Sequence, residues 1–302
     1  MSGKAPQFFE TQESRQTEFY VRFWGVRGSI ACGGPEVQRY GGNTSCMEVC
    51  CGNHLLVFDG GTGLRYLGEK LARSGPRLID LFLSHTHHDH VVGLPFFKPF
   101  FEKGFHVRMW SGHLDMAMTT HDALKALMTP PLFPIDPASF QANIEYRDFR
   151  AGDTLEPAPG ITVNTAPLHH VNGATGFRVN YDGRSVCYVT DTEHDPAQMD
   201  RNILELVRGA DIMVYDSTYT DDEFRQCRGW GHSTWEEGMR IAKRAGVRQF
   251  VAFHHDPSHD DTFMDRMASR IREQCRHSIV AREGLVLRPR REAPRLVRDR
   301  QG

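Results

Sequence analysis

The 302-residue chain has no apolar run approaching the roughly 20 residues that a membrane-crossing helix needs. No sign of charge dominates: 36 Lys and Arg stand against 38 Asp and Glu, for a formal net charge of -2. A chain so balanced has no global electrostatic attraction for a nucleic-acid backbone or a membrane surface. Residues 1–17 include Glu10 and Glu13 and lack the basic start and apolar stretch of a secretory signal. The 7 cysteines are odd in number, and Cys46, Cys50 and Cys51 do not form paired C-x-x-C knuckles. Reduced thiols and a cytoplasmic location are expected, rather than a disulfide framework or a structural zinc knuckle. There is no repeat of fixed short period and no Pro/Gly/Ser linker long enough to divide the chain. The expectation is one domain over residues 18–290. A flexible leader over residues 1–17 precedes it, and a basic tail over residues 291–302, with Arg291, Arg295 and Arg298, follows as a solvated end.

The densest signal is the stretch His85-Thr86-His87-His88-Asp89-His90, which follows the apolar run Leu78-Ile79-Asp80-Leu81-Phe82-Leu83. A buried strand ending in such a cluster delivers several imidazoles and a hard oxygen to one point. Neutral imidazole suits zinc, iron and related divalent ions, and a carboxylate adds charge. Further His and Asp residues sit just past strand-like runs. His169-His170 follows residues 161–165, Asp191 follows 186–190, Asp216 follows 212–215, and His254-His255 follows 250–253. Residues at strand ends along one sheet edge converge in space, so an edge-mounted metal site is predicted.

The remaining pattern is mixed. Strands are expected over residues 20–24, 107–110, 144–149, 161–165, 177–180, 186–190, 212–215 and 250–253, with a hairpin of 46–49 and 55–58 turning at Gly52-Asn53. Helical spacing covers residues 64–72, 114–127, 197–207, 233–245 and 262–274, and residues 285–287 are expected to close the fold. Early strands arrive as meanders and later ones alternate with helices. The predicted class is α/β: two mixed sheets packed face to face with helices on the outer faces, an αββα sandwich.

With these residues in view, the chain resembles the metallo-β-lactamase-fold hydrolases, whose signature is His85-x-His87-x-Asp89-His90. The resemblance runs from residues 23–29 to Glu283-Gly284. It is nearest to the phosphodiesterase branch that includes ribonuclease Z and the cyclic-nucleotide and phosphonate-pathway phosphodiesterases. Gly41-Gly42-Asn43-Thr44-Ser45, residues 170–178 and Gly231-His232-Ser233-Thr234 carry that assignment. The resemblance implies two divalent ions, zinc first, with manganese or iron as alternatives. His85, His87 and His170 would hold one ion, Asp89, His90 and His254 the other, and Asp191 would bridge them. Val171 stands where the family often has proline, so His169 remains an alternative to His170, as His255 does to His254. Asp59 and Asp216, with His255, are candidates to orient the ligands from behind. Asp89 and His232 would serve catalysis, and Asn43 and Ser45 would bind substrate. The alternative for His232 is that it merely precedes a helix capped by Ser233.

The implied reaction is hydrolysis of a phosphodiester by a metal-activated hydroxide, first of all in a small cyclic nucleotide. Asp191 argues against β-lactam hydrolysis, where a cysteine would stand, and His87 argues against a di-iron redox role, where an acidic ligand would. Ribonuclease Z usually carries a basic, glycine-rich arm that grips transfer RNA, and no equivalent is evident. Residues 112–149 are instead rich in Met116, Met118, Met128, Leu132, Phe133 and Phe140, which suit a core or dimer surface and could also stack a base near the mouth. Nucleic acid is therefore a less favoured partner, and a homodimer is expected. Alternatives are ribonuclease Z-like RNA 3′-end cleavage, thioester or ester hydrolysis, and a metal-loaded sensor with little turnover.

Overall fold

A computed structural model describes residues 18–114 and 118–290. The expected leader over 1–17 and tail over 291–302 lie outside the described residues. Strands β1 (Phe19–Gly25), β2 (Cys46–Cys51), β3 (His54–Phe58), β4 (Leu78–Leu83), β5 (His106–Ser111) and β6 (Asn143–Asp148) follow one another in the chain. Next come β7 (Thr154–Ala158), β8 (Ile161–Leu168), β9 (Ala174–Tyr181), β10 (Arg184–Val189), β11 (Ile212–Asp216), β12 (Gln249–Phe253), β13 (Ile279–Val280) and β14 (Val286–Leu287). They form two seven-stranded sheets, ordered β14-β1-β2-β3-β4-β5-β6 and β13-β12-β11-β10-β9-β8-β7. The architecture is the expected αββα sandwich.

The sheets share one construction. Antiparallel pairing joins β1, β2 and β3, and the helix Gly63–Arg73 then crosses over so that β4 lies parallel to β3. The second sheet meanders through β7, β8, β9 and β10 before β11 and β12 run parallel to β10. Meander and crossover therefore occur in both halves, rather than early and late in the chain. The consequence matters for function: β3, β4, β8, β10, β11 and β12 all end at one rim. Central strands β4 and β10 are buried along nearly their whole length, as sheets covered on both faces require.

Between the sheets lies a core of Phe23, Phe58 and Phe82 from the first and Phe177, Tyr188 and Phe253 from the second. Phe58 sits at its centre, with ring centroids 5.2 Å from both Phe82 and Phe177. A second core packs the helix Gly63–Arg73 on the outer face of the first sheet. A third packs the helices Arg201–Val207, Trp235–Ala245 and Asp261–Gln274 on the second.

Several helices start later than their apolar spacing predicts, because a capping side chain wins locally. The helix expected from residue 114 begins at Thr120, where Thr119 and Asp122 form a reciprocal capping box. The helix expected from 197 begins at Arg201, capped by the Asp200 carboxylate. Strand β7 was not anticipated: Glu156 and Pro157 hide its pattern, which an edge strand tolerates. In the Met- and Phe-rich stretch, Met128 is buried. Met118, Leu132 and Phe133 line an apolar cleft of about 530 Å³ beside His88.

Truncating Phe58 to alanine should lower unfolding free energy by about 3–5 kcal/mol in urea denaturation. Tyr66→Ala, at an exposed position, should cost less than about 0.5 kcal/mol.

Candidate metal centre

The rim gathers the predicted residues into two adjoining cages. Ligating atoms of His85, His87 and His170 lie within 4.8 Å of one another, and so do those of Asp89, His90, Asp191 and His254. Asp191 faces both. Its Oδ1 is 3.2 Å from His90 Nε2 and from His254 Nε2, while its Oδ2 is 3.6 Å from His85 Nε2 and 3.7 Å from His170 Nε2. Asp89 Oδ2 closes the second cage, 3.2 Å from the Nε2 atoms of both His90 and His254.

Four of the imidazoles, those of His85, His90, His170 and His254, are turned by a partner behind them. Asp59 is the hub. Its Oδ2 accepts from His90 Nδ1 (2.8 Å), Ser84 Oγ (2.8 Å) and Tyr188 Oη (2.8 Å). The Ser84 oxygen in turn accepts from His85 Nδ1 at 3.1 Å. Thr218 Oγ1 donates to Asp216 Oδ1 (2.7 Å) and accepts from His254 Nδ1 (3.0 Å). His170 Nδ1 donates to the Gly231 carbonyl at 2.7 Å. These bonds place the Nδ1 protons on the outside of the cages and leave the Nε2 lone pairs pointing inward.

That arrangement fits cations. His85 Nε2 is buried with no hydrogen-bond partner. His90 Nε2 and His254 Nε2 face each other at 3.3 Å, and His170 Nε2 faces His87 Nδ1 at 3.0 Å. The Nε2 lone pairs of His90 and His254, facing each other and the carboxylate oxygens of Asp89 and Asp191, repel unless positive charge lies between them. Burial, with the neighbouring His90, holds His85 well below the ordinary histidine range, so it stays neutral. Burial opposes charge on Asp191, and only positive charge lying among His254, His90 and His85 can outweigh it and hold the carboxyl well below its usual range. Nitrogen and oxygen donors of this kind suit zinc, manganese or iron.

The backbone is strained where it delivers these groups. Asp59, Asp191 and His254 follow their strands at φ 63°, 52° and 63°, a region few non-glycine residues adopt. Gly231 has φ 83°, and a Cβ there would lie 2.4 Å from His170 Nδ1. A Cβ on Gly28 would lie 2.3 Å from the His254 ring.

His232 overhangs the Asp191 side of the site, with Nδ1 3.2 Å from Asp216 Oδ2 and 3.7 Å from Asp191 Oδ2. Burial disfavours its charge, but Asp216 more than compensates and its pKa is pushed up to about 9. The helix after it is capped by Thr234, not Ser233, and begins at Trp235. Ser233 Oγ instead meets His194 Nδ1 and Tyr215 Oη, each at 2.9 Å.

Some expected residues stand elsewhere. His169 is exposed, and only its backbone carbonyl is used, accepting from Glu193 N at 2.7 Å. His255 points away from the cages; its Nε2 donates to the Ala281 carbonyl at 2.9 Å. Its backbone carbonyl accepts from Gly28 N and so fixes the loop leading to Ser29. Asn43 and Ser45, expected to bind substrate, are engaged within the fold. The Asn43 amide donates to Glu283 Oε2 and accepts from Thr62 Oγ1, and Ser45 is fully buried. Asp59 and Asp216 do lie behind the cages, Asp216 through Thr218 and directly on His232. Sequence reasoning missed Ser84, Thr218, Tyr188 and Ser29, whose N–H donates to Asp89 Oδ2 at 2.8 Å. Thr218 was findable, because Asp216-Ser217-Thr218 has the form of an Asx turn.

Residues 54–255 match the family described as "Beta-lactamase superfamily domain". Ribonuclease Z of Lactiplantibacillus plantarum is 22% identical over 279 residues, covering 76% of this chain and 86% of that one. The crystal structure of human tRNase Z, short form, superposes with a TM-score of 0.64 at 17% identity, covering 90% of this chain and 100% of that one. A diphosphatase from the PhnP family gives a TM-score of 0.64 at 17% identity, covering 89% of this chain and 97% of that one.

Asp191→Ala should remove more metal than any other single truncation at the site, leaving less than half the wild-type content by elemental analysis. Gly231→Ala should lower metal content too, by displacing His170 alone. Full retention in Asp191→Ala would show that the carboxylate does not bridge.

Proposed function

The chain belongs to the beta-lactamase superfamily domain family and is a metallo-β-lactamase-fold hydrolase, and from that premise we propose that it is a binuclear metal-dependent phosphodiesterase acting on a small cyclic nucleotide. The observation that carries the reading is the Asp191 carboxylate, one oxygen turned to each cage, with His232 beside it. Divalent ions held by His85, His87, His170 and by Asp89, His90, His254 would acidify water and neutralise charge on phosphoryl oxygens. The residues of the chain supply the rest. Asp216 holds His232 protonated at neutral pH, so Nε2 is free to donate a proton to the leaving oxygen or stabilise the charge developing there. Asp89, fixed by the Ser29 N–H, and the Asp59 network keep the cages from relaxing when substrate enters.

A small substrate is favoured by the net charge of -2 and by the short turn from β8 to β9; among the described residues no extended basic arm projects from the sheets. The second reading, RNA 3′-end cleavage, is favoured by the ribonuclease Z name of curated relatives. Thioester hydrolysis and metal sensing without turnover remain the other classes to be separated.

A panel of 3′,5′- and 2′,3′-cyclic nucleotides, precursor transfer RNA and an acyl thioester separates these readings. Cyclic diesters should be hydrolysed and the other substrates left intact. His232→Ala should lower kcat by roughly 10²–10⁴-fold while metal content stays at the wild-type level. Preferential cleavage of precursor transfer RNA would reverse the order of the two readings. Metal uptake without turnover of any substrate would overturn both.

A further inference from the structure

Trp230 is 64% exposed, and it is the residue between Gly229 and Gly231 on the loop that leads into His232. An exposed indole offers a large flat apolar face with a polar N–H at its edge, suited to contact with a ligand. The loop beneath it is not slack. The Glu193 carboxylate accepts from Gly229 N at 2.9 Å and from Gly231 N at 2.8 Å, one on each side of the indole. Trp230 N itself donates to the Cys227 carbonyl at 3.2 Å. The Gly231 carbonyl then receives His170 Nδ1, so the segment bearing the indole is bonded directly to a residue of the first cage. Beyond His170 stands Val171, 53% exposed, and beyond Ser29 stands Ile30, 65% exposed. Exposed apolar residues thus adjoin site residues in sequence at three places, the aromatic one two residues before His232.

We propose that Trp230 is the specificity-determining residue of the site and stacks the nucleobase of the diester whose phosphate lies at the cages. This rests on the phosphodiesterase reading and narrows it to substrates that carry a base. Every base offers a π-face to an indole, so the contact recognises a base without selecting one. Stacking remote from the reacting phosphorus is made in ground state and transition state alike, and so acts on KM rather than kcat. Glu193 is a positioning residue: it presents the indole and, through Gly231, turns His170.

The test compares a 2′,3′-cyclic nucleotide with the corresponding cyclic ribose phosphate lacking a base, in wild type, Trp230→Ala and Trp230→Phe. Binding of AMP and of ribose 5-phosphate is measured in parallel by calorimetry on the metal-loaded protein. Trp230→Ala should cut the preference for the base-bearing diester by roughly 10- to 100-fold, through KM, and should erase the preference for AMP. Trp230→Phe should keep most of both. Equal losses on the two diesters, or an AMP preference unchanged in Trp230→Ala, would overturn the proposal. Failure of wild type to cleave either diester while AMP is still preferred through Trp230 would sink the phosphodiesterase reading and leave the stacking assignment standing.

Discussion

A carboxylate with 1% of its surface exposed, at Asp191, stays charged only if positive charge lies beside its oxygens. A buried charge without partners carries a desolvation cost that shifts its pKa until it neutralises. Here His90 and His254 stand at one oxygen and His85 and His170 at the other. The same histidines carry their protons outward, so the centre holds more lone pairs than donors. Positive charge placed between them would complete it. Much of the surrounding architecture follows from that single requirement.

Meeting it takes both sheets. β4 and the short helix His88–Val91 bring His85, His87, Asp89 and His90, while β8, β10 and β12 bring His170, Asp191 and His254. Asp59, at the end of β3, ties the halves together, because Tyr188 from β10 donates to the same oxygen that holds His90. The site is therefore a product of sheet packing, and the aromatic core around Phe58 lies directly behind it in the same pair of sheets. Left-handed backbone at Asp59, Asp191 and His254 shows where geometry prevails over local preference. The surrounding bonds to rigid strands make such conformations affordable.

Much of this was legible in the sequence. The apolar run 78–83 ending in a histidine cluster, and His170, Asp191 and His254 just past other runs, announced both the rim and its occupants. Period and burial agree there, since strand ends are where apolar sequence stops. What could not be read has physical causes. The choice of His170 over His169 depends on which way the chain turns after β8, and that is set by a bond to Gly231, 61 residues distant. Asn43 looked like a polar residue free for substrate, yet Glu283 claims its amide from 240 residues away. Helix starts slipped because Thr119, Asp200 and Thr234 cap more strongly than apolar spacing propagates. Strand β7 was hidden because its charged and proline residues are allowed only at a sheet edge. The role of Glu193 was invisible, since nothing in its neighbours forecasts that it clamps the loop before His232.

The most direct test of the account is anomalous diffraction at the zinc edge from crystals of the zinc-refilled protein. Two peaks are predicted, one within coordinating distance of His85, His87 and His170 and one of Asp89, His90 and His254, with the Asp191 carboxylate between them. A single peak, or a second one away from Asp191, would contradict the bridging carboxylate on which the rest depends.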